Sequence, residues 1–317
     1  MTVVRETSER FPGGTRLREG DVAVDTPYSQ AFLDRLAPFR PGRDLLDEIL
    51  RSEHPPYIAE RMRLLVEPFQ GRERWRVLDF GCGAGASAVV LARLGIRRIV
   101  GVDLVNDYAA IWRQRLAEAG HAGAGTFVQA GESYRLPFRP GTFDAVFLNG
   151  VLEHLLPEER VLILREAFRL LATGGVLFVS ETPNPLFPRN SHTKLVGSEL
   201  LPRPLAGWLA ARFGPRRDFP THGRVAQYRT GMRGMTLGRM RAILGSGVEV
   251  IHPNARLAEL EFTLPRNPLQ SNGERSRAGA LLWSIVNGVA KLTGTPPGVL
   301  APHVNVAFRK RRERSEA

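Results

Sequence analysis

Between Val77 and Asp103 the chain sets two carboxylates around three closely spaced glycines. The run opens V-L-D-F-G-C-G-A-G, from Val77 to Gly85, and closes I-V-G-V-D-L, from Ile99 to Leu104. Two ligand chemistries suit such a run. Gly81, Gly83 and Ala86 satisfy the G-x-G-x-x-A spacing of a dinucleotide loop, a weak signal alone. Asp79, two residues before the first glycine, argues against that ligand, because a carboxylate there would repel a pyrophosphate lying over the loop. It suits a ligand that presents an ammonium group and carries a sulfonium, such as S-adenosylmethionine. Asp103, at the end of the next apolar run, is placed to bind both hydroxyls of a ribose.

The elements that must position these groups follow from the pattern. Val77-Leu78 is a buried strand that breaks into the glycine loop; an alanine-rich helix, Ala84 to Leu94, and a strand ending at Asp103 follow. Strand, glycine loop, helix and strand make the opening βαβ unit of a doubly wound α/β sheet. Glycine lets the backbone turn tightly and approach a ligand, and a helix N-terminus offers free N–H groups.

Further along, a helix is expected around Asp107 to Ala119 and a short strand at Thr126 to Val128. Phe143 to Leu148 is apolar at every position but Asp144, as suits a central parallel strand. A helix from Pro157 to about Leu171 stops at Thr173-Gly174-Gly175, and strand five runs from Val176 to Ser180. From Thr182 to about Met235 regularity is lost among seven prolines. One helix stands out there, Pro204 to Phe213, with Leu205, Trp208, Leu209 and Phe213 on one side and Arg residues beside it. That pattern suggests a pocket for an amphipathic or lipid-linked molecule near a membrane surface or, more simply, that pocket's hydrophobic lid. The core resumes with a helix, Leu237 to Leu244, a strand, Val248 to Ile251, a helix, Arg277 to Leu292, and a final strand near Val304 to Phe308. The last two strands would close a Rossmann-like, doubly wound, seven-stranded sheet as an antiparallel pair.

Ahead of the sheet, residues 1 to about 27 are polar and expected to be loosely ordered. Tyr28 to Gln70 is helical in pattern and is expected to form a lid beside the cleft, broken at His54-Pro55-Pro56. The domain plan is therefore a tail and helical lid over 1–73, a catalytic domain over 74–310 with an insertion at about 182–235, and a basic tail over 311–317.

Composition bounds the function. At 317 residues, 43% hydrophobic and 24% charged, the chain has ample material for a core. A net charge of +12 favours anionic partners: nucleic acid, an acidic membrane face or a phosphorylated substrate. Cys82 is the only cysteine, which excludes an intramolecular disulfide. Neither a secretory leader nor an 18-residue apolar run is legible, so the expected location is the cytoplasm, with peripheral contact at an anionic membrane surface.

Five ordered blocks together resemble the class I S-adenosylmethionine-dependent methyltransferases, in particular the group holding ubiquinone-biosynthesis O-methyltransferases and small-molecule methyltransferases. The first is Val77 to Gly85 and the second G-V-D-L, ending at Leu104. The others are A-G-E-S-Y-R-L-P-F from Ala130, T-F-D-A-V-F-L-N-G-V-L-E-H-L from Thr142, and L-L-A-T-G-G-V-L-F-V-S-E-T-P-N-P from Leu170. The resemblance implies S-adenosylmethionine as cofactor. It implies that Asp79 and the backbone of Gly81, Cys82, Gly83 and Gly85 hold the methionine end, and that Asp103 holds the ribose. Leu104 would pack on the adenine, Glu132 recognise its amino group beside Ser133, and Asn149 and Gly150 line the floor under the methyl. Glu132 stands where the family more often has Asp. Some relatives hold a divalent metal on Glu-x-x-Glu-His; here Gly150 replaces the first carboxylate ahead of Glu153-His154, and no metal is expected.

Methyl transfer needs an acceptor held in line with the sulfonium, and a base when the acceptor arrives protonated. His192, in N-S-H-T-K-L soon after strand five, is the expected base, His154 the second choice, and His222 and Tyr228 also lie nearby in sequence. The expected acceptor is a hydroxyl (or amine) of a small or lipid-like metabolite. An RNA or protein methyltransferase is the alternative, and a non-catalytic binding module a third reading. An Asn/Asp-Pro-Pro-aromatic run is missing after strand four, where Asn149-Gly150-Val151-Leu152 stands, which argues against exocyclic base nitrogens. Cytosine C5 chemistry needs a cysteine nucleophile, and Cys82 is committed to the glycine loop.

Overall fold

The computed structural model describes residues 3–19, 21–55, 57–131, 134–214, 224–231, 233–252, 255–263 and 277–311. Glu132, Ser133, His222 and the end of the basic tail lie outside the described residues. The chain divides into two compact units, Met1–Glu132 with Phe262–Leu281, and Ser133–Glu261 with Leu282–Ala317.

The first unit begins with three antiparallel strands, β1 (Val4–Thr7), β2 (Thr15–Glu19) and β3 (Val22–Thr26), where a loose tail was expected. The reason is a short period-two pattern: Thr15, Leu17 and Glu19 of β2 are buried while Arg16 and Arg18 are not, and Leu17 is fully enclosed. Thr15 pairs with Thr26 in register, and a β-carbon on Gly14 would run into the Thr26 carbonyl. Polar composition concealed a strand that buries one small face.

Helices α1 (Gln30–Leu36), α2 (Arg43–Glu53) and α3 (Ala59–Val66) follow, as periodicity required. Ser29 caps α1 by accepting from Phe32 N–H, and its own N–H and hydroxyl donate to Glu118. Then come β4 (Arg76–Phe80), α4 (Ala86–Arg93), β5 (Arg98–Asp103), α5 (Tyr108–Glu118) and β6 (Gly125–Gln129). The three strands are parallel, with Asp79 opposite Gly101 and Asp103 opposite Gln129. Trp112 of α5 is fully buried on this layer.

The second unit holds β7 (Phe143–Asn149), α6 (Pro157–Leu170) and β8 (Leu171–Pro183). Instead of stopping at Thr173-Gly174-Gly175, α6 passes directly into β8; Gly174 takes φ +79° and the pairing with β7 slips between Phe143 and Ala145. Helices α7 (Arg203–Phe213), α8 (Arg224–Arg229) and α9 (Leu237–Leu244), strand β9 (Val248–Ile251), helix α10 (Ala255–Thr263) and helix α11 (Arg277–Thr293) precede β10 (His303–Lys310). β10 runs antiparallel to both β8 and β9, as expected of the closing strands. The sheet order is β6-β5-β4-β7-β8-β10-β9, seven strands, mostly parallel.

Two helices are turned the opposite way from their apolar pattern. In α7, Leu205, Trp208 and Phe213 are exposed, and the inward side is Ala206, Gly207 and Ala210. Small residues at those positions permit close approach, and Ala210 packs on Leu195. In α11, Leu281, Leu282, Ile285 and Val289 are exposed, where a core helix was expected.

Candidate functional site

In the first unit the glycine loop is built on β4 and β5. Gly81 and Cys82 both donate their N–H to the Val102 carbonyl, at 2.7 and 3.0 Å, which ties the loop to the end of β5. Gly83 N–H donates to Asp103 Oδ2 at 2.9 Å, and Val105 N–H to Asp103 Oδ1 at 3.0 Å. Asp103 is thereby posed by two backbone amides rather than by packing.

The glycines have different physical reasons. At Gly83, φ is +47° and nothing lies within 4 Å of where a β-carbon would stand, so the backbone fronts open space there. Gly85 takes φ +89°, and a β-carbon would sit 2.9 Å from Trp112 Cδ1. Gly85 is required by packing as much as by any ligand. The Cys82 side chain is buried, its Sγ 2.9 Å from the β-carbon position of Gly101, and burial pushes its thiol well up, with Asp79 and Asp103 adding to the effect.

Asp79 is the unusual member. It is 1% exposed, and its Oδ2 has no hydrogen-bond partner. Burial first, then the neighbouring Asp103, push its carboxyl up to about 7, with Arg51 pulling weakly the other way. A buried oxygen without a donor costs on the order of 1–3 kcal/mol, and a cationic ligand with N–H groups would satisfy it. Leu104, directly after Asp103, is 44% exposed, an apolar surface at the carboxyl end of the strand. A carboxylate seeking a cation, an open glycine backbone, a posed carboxylate and an exposed apolar side chain fit the methionine, ribose and adenine parts of S-adenosylmethionine.

In the second unit, Ser180 of β8 donates from its hydroxyl to Asn149 Oδ1 at 2.7 Å, and Gly150 N–H donates to the Ser180 carbonyl at 3.0 Å. The same unit holds a cluster that includes both histidines singled out in the sequence. The His154 and His192 rings meet edge to face with centroids 6.0 Å apart. Asn190 Oδ1 accepts from the N–H groups of His192 and Thr193, both at 2.8 Å, fixing the turn that presents His192. His154 Nδ1 lies 2.9 Å from the Arg229 carbonyl, which can only accept, so Nδ1 carries a proton and in the neutral ring Nε2 carries the lone pair. That Nε2 is 3.9 Å from Glu153 Oε1. Glu153 is buried, its Oε2 has no partner, and burial pushes its carboxyl up.

Sequence reasoning missed the residues that bring this cluster together. Arg229, in α8, forks onto Glu159 at 2.6 and 2.8 Å and donates to the His154 carbonyl at 2.9 Å. Gly231 takes φ +75°, and its β-carbon position is 3.0 Å from His192 Cε1 and 3.2 Å from His154 Cε1. Only the Gly-Met-Arg-Gly run after Thr230 hinted at a tight turn, and nothing in the sequence linked it to histidines 39 and 77 residues upstream. Tyr134, with φ +56°, donates to Glu159 Oε1 at 2.8 Å, and Glu181 takes φ +66°. Strained backbone of this kind persists where surrounding contacts enforce it, and it gathers at functional sites.

Comparison with known proteins bears on this geometry. Residues 78–179 match the family model described as a methyltransferase domain. A ubiquinone biosynthesis O-methyltransferase from Methylocella silvestris is 31% identical over 61% of this chain and 68% of its own length. The ubiquinone/menaquinone biosynthesis C-methyltransferase of Cronobacter sakazakii is 31% identical over 42% of this chain and 53% of its own. The sterol 24-C-methyltransferase of Aspergillus fumigatus is 33% identical over 45% of this chain and 35% of its own. The chain thus spans about half the length of the curated relatives it matches, from 35% to 68% among these three.

Proposed function

This chain belongs to the class I S-adenosylmethionine-dependent methyltransferases, and from that premise we propose that it transfers a methyl group to a hydroxyl (or amine) of a small or lipid-like metabolite, met at an anionic membrane surface. The observation that carries the reading is Asp79, a buried carboxylate with an unsatisfied oxygen at the mouth of a glycine loop. The relatives whose names specify quinone and sterol biosynthesis support the lipid-like acceptor.

S-adenosylmethionine, when bound, supplies an electrophilic methyl on a sulfonium. Asp79 would bind its ammonium group, the Gly83 backbone would lie against its methionine end, Asp103 would accept from both ribose hydroxyls, and Leu104 would cover the adenine. Glu132 and Ser133 would complete the adenine contacts, and Asn149 and Gly150 would line the floor. The acceptor oxygen or nitrogen would use its lone pair to form the new bond to carbon while the carbon–sulfur bond breaks and its electron pair stays on a neutral thioether sulfur, and the acceptor's proton would go to a base. In the histidine cluster, His154 Nε2 holds the free lone pair, and His192 is presented beside it on the Asn190 turn. We assign the proton to this pair, with Glu153 stabilising the imidazolium.

Two measurements test the assignment. Asp103→Ala removes charge-assisted hydrogen bonds worth about 1.5–3 kcal/mol each; calorimetry should show S-adenosylmethionine affinity down at least tenfold, and unchanged affinity would sink the ribose role. His192→Gln and His154→Gln should leave that affinity intact while turnover falls by about 10²–10⁴. Gly231→Ala should push the two rings and lower turnover in the same way, because the alanine β-carbon has no room at φ +75°. Equal turnover in all three variants would remove the histidines from the chemistry. The acceptor is found by following labelled methyl into lipid, quinone, glycan and RNA pools.

A further inference from the structure

Helix α11 carries its apolar face outward. Leu281, Leu282, Ile285, Val289 and Leu292 are 66%, 38%, 56%, 44% and 89% exposed. At 100° per residue these five side chains fall within an arc of about 100°. Ala290, the buried residue of the helix, projects about 130° from the centre of that arc. An outward arc of five large aliphatic side chains on one helix is what an interaction surface requires, whereas scattered exposed leucines would need no explanation.

We propose that this face of α11 lies in the surface of an anionic lipid bilayer. Charge decides among the occupants. The helix R-A-G-A-L-L-W-S-I-V-N-G-V-A-K-L-T contains no Asp or Glu, and its two charges, Arg277 and Lys291, are both cationic and leave the helix about 40° and about 80° beyond the same edge of the arc, within the reach of long side chains that keep their charged heads at headgroup level. The whole chain carries +12, a total that includes the R-K-R-R-E-R run from Arg309 to Arg314. A second copy of the same face would bring cations toward cations with no carboxylate on either helix to pair them. Anionic headgroups supply that pairing along the flank while the aliphatic side chains enter the acyl boundary. Length decides between lying in the bilayer and crossing it. Seventeen residues reach about 25 Å, short of a core about 30 Å thick, and among the described residues no helix is long and apolar enough to cross a membrane. Helix α7 repeats the composition, with Leu205, Trp208 and Phe213 outward, Arg203 and Arg212 as its charges, and no acidic residue.

The inference rests on the part of the proposed function that places the acceptor at a membrane surface, and the test separates the two. Full-length protein is sedimented with vesicles of phosphatidylcholine alone and with vesicles containing phosphatidylglycerol, alongside Ile285→Glu/Leu292→Glu. Both positions are exposed, so the fold should survive, and an unchanged circular dichroism spectrum and S-adenosylmethionine affinity check that it does. The expected result is binding at least tenfold tighter to the anionic vesicles, weakened by salt, and reduced at least tenfold in the double variant. Failure of the wild-type protein to bind anionic vesicles, equal binding by the variant, or equal binding to both vesicle types overturns it. So does a wild-type dimer that the variant converts to monomer, since the occupant would then be a second copy. A chain that ignores vesicles yet binds S-adenosylmethionine overturns the docking and leaves the methyl-transfer reading standing.

Discussion

Asp79→Asn is expected to stabilise the ligand-free protein at pH 8 while lowering S-adenosylmethionine affinity at least a hundredfold. The carboxyl titrates at 3.8 in its ordinary state and at about 7 in the folded chain, raised by burial and by Asp103. Because the folded value is the higher one, the folded state binds the extra proton between these pH values, and stability falls as pH rises through that window. Above pH 7 the penalty is complete, about 4 kcal/mol at about 1.4 kcal/mol for each pH unit. Asparagine has no charge to bury, but its amide nitrogen enters the same dry site, which returns about 1–3 kcal/mol of that gain. Denaturant titration should therefore show a net gain of about 1–3 kcal/mol at pH 8, vanishing between about pH 4.5 and 6, where the charge penalty equals the asparagine cost, and reversing at lower pH. The wild-type carboxylate is stabilised instead by a bound ammonium, so cofactor binding should release a proton near pH 7 and tighten between pH 6 and 8. Calorimetry in buffers of differing ionisation enthalpy reads that proton directly. A variant with unchanged stability at pH 8 and undiminished affinity would remove Asp79 from the cofactor site.

Asp79 was legible before the structure as a candidate partner for a ligand's ammonium group because a single feature carried it, whereas its buried, unpartnered oxygen and raised carboxyl came only with the fold. A carboxylate two residues ahead of a glycine loop lies on a buried strand by its own local pattern, and no distant residue is needed to place it. The same holds for β7 and β8, whose apolar runs mark central strands, whereas β4 and β6 were legible only as the short pieces Val77-Leu78 and Thr126 to Val128. Where surface patterning had to be weighed against short-range alternation, the sequence misled. Residues 4–26 look polar, yet Leu17 with Thr15, Thr26 and the close turn at Gly14 forms a sheet, because three short strands need only a few inward positions. The apolar stripes of α7 and α11 were legible as stripes, but periodicity does not say which side of a helix meets the protein. In α7 that was decided by Ala206, Gly207 and Ala210, whose small size lets the backbone approach.

The histidine cluster shows the other limit. His154 and His192 were each weighed singly, by distance in sequence from strands four and five. What unites them is a turn at Gly231 and a guanidinium, Arg229, that holds Glu159 and the His154 carbonyl together. These contacts span 39 to 77 residues across a proline-broken segment with no periodic signal. Chemistry assembled from irregular backbone is the least legible kind, since each member needs the others before its role has meaning.

The second large effect lies on Arg115, which no motif singled out. The side chain is fully buried in α5 and reaches five groups. It donates to Glu48 Oε1 at 2.7 Å, the Glu48 carbonyl at 2.9 Å, Ser52 Oγ at 2.8 Å, and at 3.4 Å to both the Tyr28 hydroxyl and the Ala84 carbonyl. One guanidinium thus joins α2 and the approach to α1 to the backbone of the glycine loop. Burial alone would raise the Glu48 carboxyl, but Arg115, Arg51 and Arg40 outweigh it and leave it lowered. Its contribution to stability is therefore present above the ordinary glutamate value of 4.5 and lost as pH falls through the lower folded one. Glu48→Leu would leave a buried cation without its anion, and should lower unfolding free energy by about 3–5 kcal/mol. Glu48→Leu/Arg115→Met removes both charges and should recover most of that loss, because an apolar pair of similar volume suits a dry site. Cofactor affinity should not recover with it. The Ala84 carbonyl loses its donor in the double variant, so the loop is less well held and S-adenosylmethionine should bind several-fold more weakly than to wild type. Denaturant midpoints measure the first effect and calorimetry the second. Should affinity return together with stability, Arg115 only fills the core. A persistent loss makes the N-terminal helices part of the apparatus that holds the glycine loop in shape.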